Sequence, residues 1–228
     1  SFISMSSTIG IALGCFVLIV LLSVMNGFEK ELTSRILRVV PHGELYSKSE
    51  SGIENLDAQL YRLSQDSRIA SVTPYTGITG MLQSKGELKA ISVTGIPVNS
   101  VSDKYAERVT SDDWQRFSMQ KNGLIVGKGI FASMDLNIGD IVQILIPQTT
   151  QDLTFKAPRS ITLSISGVLS VGGELDNQLG LMHLETASEA IGISSKSQGI
   201  QFTLNDPFSS YDTMRDIGYS YPQGVYMS

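Results

Sequence analysis

Apolar residues fill the first stretch of the chain almost without interruption. Ile9 to Met25 reads IGIALGCFVLIVLLSVM, and no charged side chain occurs before Glu29. A bilayer-crossing helix needs about 20 such residues at about 1.5 Å rise each, and a buried soluble helix seldom runs this far without a polar face. A signal peptide is the rival reading, but no basic residue precedes the run and no small-residue cleavage pattern follows it. On a helix at about 100° per residue, Ser7, Gly10, Gly14, Leu18, Leu21, Met25, Phe28, Leu32, Ile36 and Val39 share one narrow face. From Gly14 on, their spacing alternates four and three, the seam of helix-on-helix packing. Ser6, Gly10 and Gly14 step by four, a small-xxx-small pattern that lets another membrane helix come close. Beyond Phe28 the other faces carry Glu29, Lys30, Glu31, Arg35 and Arg38. The pattern predicts a transmembrane helix over 1–28 that continues as an amphipathic stalk over 29–41 and stops at Pro41.

After the stalk the pattern becomes mixed. Gly43–Ser47 reads as a strand, and Asn55–Gln65 as a helix with Leu56, Leu60 and Leu63 on one face. Ile69–Thr76 and Thr79–Ser84 read as strands, with Lys85-Gly86 as a hairpin turn into Leu88–Gly95. A second strand–helix–strand follows near the C-terminus, over Ile200–Leu204, Ser209–Ile217 and Val225–Ser228. Two such units around a longer middle predict an α+β domain of two lobes. Residues 42–98 and 197–228 form the first lobe, and 99–196 an inserted second one. The middle section contains a strand at Leu124–Val126, a helix near Ile130–Asp135, and strands at Asp140–Ile146 and Ile161–Ser170. Between the last two, the polar segment from Pro147 to Pro158 holds an apolar pair, Leu153 and Phe155. It reads as a surface connection, with a protruding hairpin as the alternative.

Composition narrows the function classes. All 39 charged side chains (17 basic, 22 acidic) lie in the last 200 of the 228 residues, and the net charge is −5. That balance argues against nucleic acid, which rewards basic patches. The lone cysteine, Cys15, sits in the apolar run, so no disulfide framework is available. His42 and His183 have no partner at metal-ligand spacing, and no metal site is expected. The Gly-Lys-Gly in GLIVGKGIF lacks the spacing of a phosphate loop and reads as a strand-to-helix turn. The pairs Asp112/Asp113, Glu29/Glu31 and Glu174/Asp176 read as solvated surface. No catalytic residue is expected, and any energy input has to come from another chain.

Several segments carry a resemblance. SSTIGIALG, LSVMNGFEKEL, RIL and VVPHGE are similar to the first membrane helix and stalk of the LolC/LolE permeases. PHGEL, DDWQRF, LIVGKGIFASMDLNIGDIVQILIP and GVLSVGGELDNQLGLMHL resemble LolE more than LolC, although LSVMNGFE also resembles LolC. The resemblance implies a permease subunit of an ABC transporter in the Gram-negative inner membrane, related to MacB and FtsX. Such a subunit has four membrane helices and a large periplasmic domain between the first two. This chain would be helix one and that domain. The implied partners are a LolC-like sister permease, two LolD-like ATPases that hold ATP and Mg, triacylated lipoproteins as cargo, and a LolA-like periplasmic carrier.

Acyl chains leaving a bilayer expose methylenes at about 0.8 kcal/mol each, so an apolar receiving surface is required. Leu18, Leu21, Leu22, Met25 and Phe28 are the expected lipid-contacting residues, Met25 first because an unbranched thioether adapts to variable chains. Packing on a sister helix is the alternative use of that face. Pro147, Leu153, Phe155 and Pro158 occupy the place of the carrier-binding hook of LolC. In a LolC-like chain they would face the carrier; in a LolE-like chain their role is open. The functional alternative is a MacB/FtsX-type mechanotransmitting subunit that moves no lipid.

Overall fold

The structure is a computed structural model that describes residues 2–36, 43–47, 51–98, 105, 108–149, 155–205, 213, 215–217 and 225–227. It divides into two compact units, Ser1–Val40 and Pro41–Ser228.

The first unit is one unbroken helix, α1 (Phe2–Ile36). Within it, Ser6–Phe28 is long and apolar enough to cross a membrane, with a mean hydropathy of 2.7. The helix continues through Glu29–Ile36; residues 37–42, with Pro41 and His42, lie outside the described set.

The second unit combines nine strands with short helices: β1 (Gly43–Ser47), α2 (Leu56–Ser64), β2 (Ile69–Ser84), β3 (Glu87–Ile96), α3 (Ser111–Met119), β4 (Gly123–Gly127), α4 (Lys128–Ser133), β5 (Ile141–Thr149), β6 (Phe155–Leu169), a 3₁₀ turn at Gly173–Asn177, β7 (Leu179–His183), α5 (Leu184–Ile191), β8 (Gly199–Leu204) and β9 (Val225–Met227). Lys85 and Gly86 both have positive φ (49° and 87°), the backbone of a two-residue hairpin turn, and Ser84 pairs with Glu87 across it. Gly127 caps α4 directly after β4, which makes Gly-Lys-Gly a strand-to-helix turn, in line with the sequence pattern. Of the helix expected at Ser209–Ile217, only Thr213 and residues 215–217 are described, and they are helical.

The strand order is β3-β7-β4-β6-β5-β2-β8-β1-β9, and an additional β3–β2 pairing closes the first six of these strands into a ring. Apolar side chains at alternate positions fill one side of the ring: Ile78 and Leu82 from β2, Ile91 and Val93 from β3, Leu124 and Val126 from β4, Val142 and Ile144 from β5, Leu163 and Ile165 from β6. Ile130 and Met134 join this cluster from α4 and its C-terminal end. A second cluster packs α2 on β8 and β1 through Leu45, Leu63, Ile200 and Phe202, with Leu56 and Leu60 half-buried beside them. A third places Phe117 of α3 against Ile125, Leu181 and Leu169.

Two expectations differ from this arrangement. The segments read as separate strands, Ile69–Thr76 and Thr79–Ser84, are one 16-residue strand. Gly77 marks no turn there; it lies where β2 leaves β8, at Tyr75, and takes up β3, at Thr76. The change of hydrogen-bonding partners thus falls inside β2 rather than at residue 98, and β3 pairs wholly with ring strands. The Pro147–Pro158 segment is not a plain surface connection. β5 and β6 continue into it from both sides as an antiparallel ladder, Gln148 opposite Lys156 and Thr149 opposite Phe155, with a register shift between Ile146 and Gln148. A proline cannot donate to a ladder, and a bulge accommodates it.

Candidate functional site

On α1 the expected lipid-contacting residues are open. Leu18, Leu21, Leu22, Met25 and Phe28 are each more than half exposed, Met25 most of all at 69%. Around Gly10 and Gly14 a built Cβ meets no described atom within 4 Å, and Ser6 is exposed on the same turn series. An apolar helix in this condition satisfies all its backbone groups internally and offers its whole side-chain surface to an apolar environment or to another helix.

The hairpin of β5 and β6 carries exposed prolines at 147 and 158. Leu153 lies outside the described residues, and Phe155 is placed by its backbone pairing with Thr149. At the base of the hairpin Arg159 donates from Nη1 to the Ala190 carbonyl at 3.3 Å, tying it to α5.

Two of the segments that carry the family resemblance, GLIVGKGIF and GELDN, meet in the ring unit. A Cβ on Gly127 would overlap the carbonyl oxygen of Asp176, and one on Gly129 would overlap the side-chain amide of Asn177. The glycines of GKG are therefore there so that the GELDN turn can lie on them, and no phosphate is needed to explain them. Asp176 accepts from the backbone N–H groups of Val171 (2.7 Å) and Gly172 (3.1 Å), which fixes that turn. Asp113 of α3 is buried, accepts from Val168 N–H at 3.1 Å and pairs with Arg116, whose Nε donates to the Ser166 carbonyl at 3.2 Å. Asp113 and Asp176 thus correct the expectation of solvated carboxylates. Both serve backbone donors that α-helix or strand ladders leave over. The signal for Asp113 is present in the sequence: Thr110 and Asp113 have the spacing of a helix N-cap, and the Thr110 hydroxyl accepts from Asp113 N–H.

His183 is buried, and its Nε2 lies 2.6 Å from the Phe117 carbonyl oxygen. A carbonyl only accepts, so Nε2 carries the hydrogen and the ring ties β7 to α3. Among the described residues no group of three or more His, Cys, Asp or Glu side chains could hold a metal ion. The resolved shifts of carboxylates are surface features: hydrogen bonds from Arg68 hold Asp66 below its ordinary value, and the Asn137 N–H with Lys85 does the same for Asp140.

One polar set has no counterpart in the sequence pattern. The Tyr75 hydroxyl donates to Glu44 Oε2 at 2.9 Å, and Gln201 Nε2 donates to Glu44 Oε1 at 2.9 Å. Glu44 belongs to PHGE, which marks a resemblance without revealing a partner, because Gln201 is 157 residues away.

Comparison with known proteins gives consistent results. Residues 4–217 match the model of the family described as MacB-like periplasmic core domain. The chain is 34% identical to the lipoprotein-releasing system transmembrane protein LolE of Haemophilus influenzae, over 97% of this chain and 54% of that protein. It is 28% identical to the lipoprotein-releasing system transmembrane protein LolC of Neisseria meningitidis serogroup B, over 91% of this chain and 50% of that protein. The chain spans about half the length of the curated relatives it matches. Among solved structures, the extracellular domain of the noncanonic ABC-type transporter YknZ from Gram-positive bacteria aligns with a TM-score of 0.50. That alignment covers 81% of this chain and 98% of that one at 13% identity, a likeness of fold alone.

Proposed function

This chain belongs to the family of MacB-like periplasmic core domains, and from that membership we propose that it is the first membrane helix and periplasmic domain of a lipoprotein-releasing permease subunit. The supporting observation is the 34% identity to LolE, which runs through the apolar helix and the β-rich unit alike. In this reading residues 1–28 cross the inner membrane, 29–41 form the stalk, and the rest forms two periplasmic lobes that share β2, with β3 in the ring lobe. The subunit is non-catalytic. A LolC-like sister subunit completes the membrane portion, LolD-like subunits hydrolyse ATP with Mg, and triacylated lipoproteins pass to a LolA-like carrier.

The work asked of α1 follows from its surface. Three acyl chains drawn from a bilayer expose tens of methylenes, each costing about 0.8 kcal/mol in water. Leu18, Leu21, Leu22, Met25 and Phe28 form one wall of an apolar route, and Ser6, Gly10 and Gly14 admit a neighbouring helix. Pro147, Phe155 and Pro158 belong to β5 and β6, a strand pair suited to meeting the carrier or the sister subunit, and Leu153 is the further candidate contact. The test is photocrosslinking from Met25 in the full-length permease, assembled with its partners and without ATP. The expected result is a lipoprotein adduct that disappears when ATP is added. Crosslinks confined to another permease helix would make the stripe a packing surface and move the search for cargo into the periplasmic lobes.

A MacB/FtsX-type mechanotransmitting role is the second reading, with which the family description is compatible. Such a subunit would co-purify without triacylated protein.

A further inference from the structure

β1 is the strand that follows α1 in the chain, with only residues 37–42 between them. Its backbone ladders are short: four residue pairs with β8 and three with β9. It has no backbone pairing with β2, because β8 stands between them. Side chains bridge that gap. Glu44, Gln201 and Thr73 are register partners across β1, β8 and β2, and Tyr46, Gly199 and Tyr75 form the next row on the same face. Glu44 therefore receives one hydrogen bond from the neighbouring strand, through Gln201, and one from two strands away, through Tyr75.

The surroundings are built for this reach. A Cβ on Gly199 would lie 2.6 Å from Tyr75 Cε1 and 2.7 Å from the Leu45 carbonyl oxygen, so only glycine lets the Tyr75 ring lie across β8. On the opposite face a Cβ on Gly43 would overlap the Phe202 ring. Two donors, a phenol and an amide, converge on one group. A carboxylate accepts both without a donor of its own in the way. Burial, with the Glu44 charge second, pushes the Tyr75 phenol well up, so it keeps its proton at physiological pH. The same charge adds to the burial that pushes Tyr105 up to about 12, which places a second tyrosine in the field of Glu44. Tyr105 packs on the cluster that holds α3 to the ring.

β2 is the strand the extension and the ring have in common. We propose that Glu44 is a positioning residue that couples β1 to β2 across β8, so that a displacement arriving along the stalk is delivered to the six-strand ring. The source of that displacement rests on the transporter reading; the side-chain coupling does not.

The test uses the full-length permease with its partner subunits in proteoliposomes. Tyr75→Phe removes one donor and leaves the ring on Gly199. Gln201→Glu sets a second carboxylate against Glu44. The reciprocal swap Glu44→Gln with Gln201→Glu restores the match, because the amide introduced on β1 accepts from Tyr75 and donates to the carboxylate introduced on β8. Each single variant should lower lipoprotein released per ATP hydrolysed about tenfold, the scale of one lost charge-assisted hydrogen bond. The swap should recover to within about twofold of wild type. Wild-type release in both single variants, or a swap no better than Gln201→Glu alone, overturns the coupling. A second readout needs no cargo: amide hydrogen exchange with and without a non-hydrolysable ATP analogue. In wild type, protection should change in β1 and β2 together; in Tyr75→Phe the change should stop at β1. An equal response of β2 in that variant refutes the latch. A complex that releases no lipoprotein yet shows this exchange pattern keeps the latch and refutes the lipoprotein reading.

Discussion

Leucine means opposite things in the two units of this chain. In α1, Leu18, Leu21 and Leu22 are 58–61% exposed; in the ring, Leu82, Leu124 and Leu163 are fully buried. The ring unit gathers its apolar side chains into three clusters and brings its own partners. Among the described residues the helix brings none, so its surface calls for an apolar environment or another helix. Burial therefore reports stability in the second unit, and exposure reports purpose in the first.

The strongest test of this contrast removes a large side chain from the ring unit. Phe202→Ala should destabilise the β-rich unit by about 3–5 kcal/mol, as truncations of buried aromatics do. Denaturant unfolding of the detergent-solubilised protein measures it, and the helicity of α1 should persist beyond the transition. Next in size is a charge on the helix. Leu21→Arg should raise the cost of membrane insertion by about 3–4 kcal/mol, the lost leucine included. Carbonate extraction reads that loss, while the unfolding midpoint of the β-rich unit should stay fixed. A midpoint that moves with Leu21→Arg would end the claim that the units are stabilised separately.

The smallest effects are pH-dependent and belong to the ring unit alone. Tyr105 is raised from 10.0 to about 12, chiefly by burial. The unfolded chain then loses its proton first, so stability is complete below about pH 10 and declines toward pH 12. Tyr105→Phe should flatten that decline in pH-jump unfolding, although Tyr75, raised in the same direction, keeps part of it. On the acid side Asp66 is held below 3.8 by Arg68, so its contribution is present above that value and lost as pH falls below it. The pair is partly exposed, and Asp66→Asn should change the acid midpoint only slightly.

How much the sequence reveals follows the range of the interactions involved. The helix, the Lys85-Gly86 turn, the GKG turn and the leucine face of α2 are local patterns, and each is legible in the chain. α3 escapes because SDDWQRFSM holds only Trp114, Phe117 and Met119 as apolar signals, and its cap, Thr110, stands outside any apolar pattern. β7 escapes because LGLMH is too short and too evenly apolar to alternate, being buried along most of its length. The roles of Asp113 and Glu44 escape for a different reason: although the Thr110 cap marks Asp113 locally, the far partners of the two carboxylates lie 55 and 157 residues away. The stripe residues of α1 are legible as a pattern, whereas their use depends on molecules outside the chain.

The sheet extension also sets an order of folding. β2 and β3 are joined by two residues and can zip as soon as they are made, while among the described strands β1 pairs only with β8 and β9, near the other end of the chain. Closing so long a loop is slow, and its entropy is lost before any ladder repays it. During synthesis the strand made first after α1 therefore waits longest, with both edges open until more than 150 further residues have emerged. A hairpin-first, β1-last sequence would make β1 the segment most in need of protection while the chain is being made.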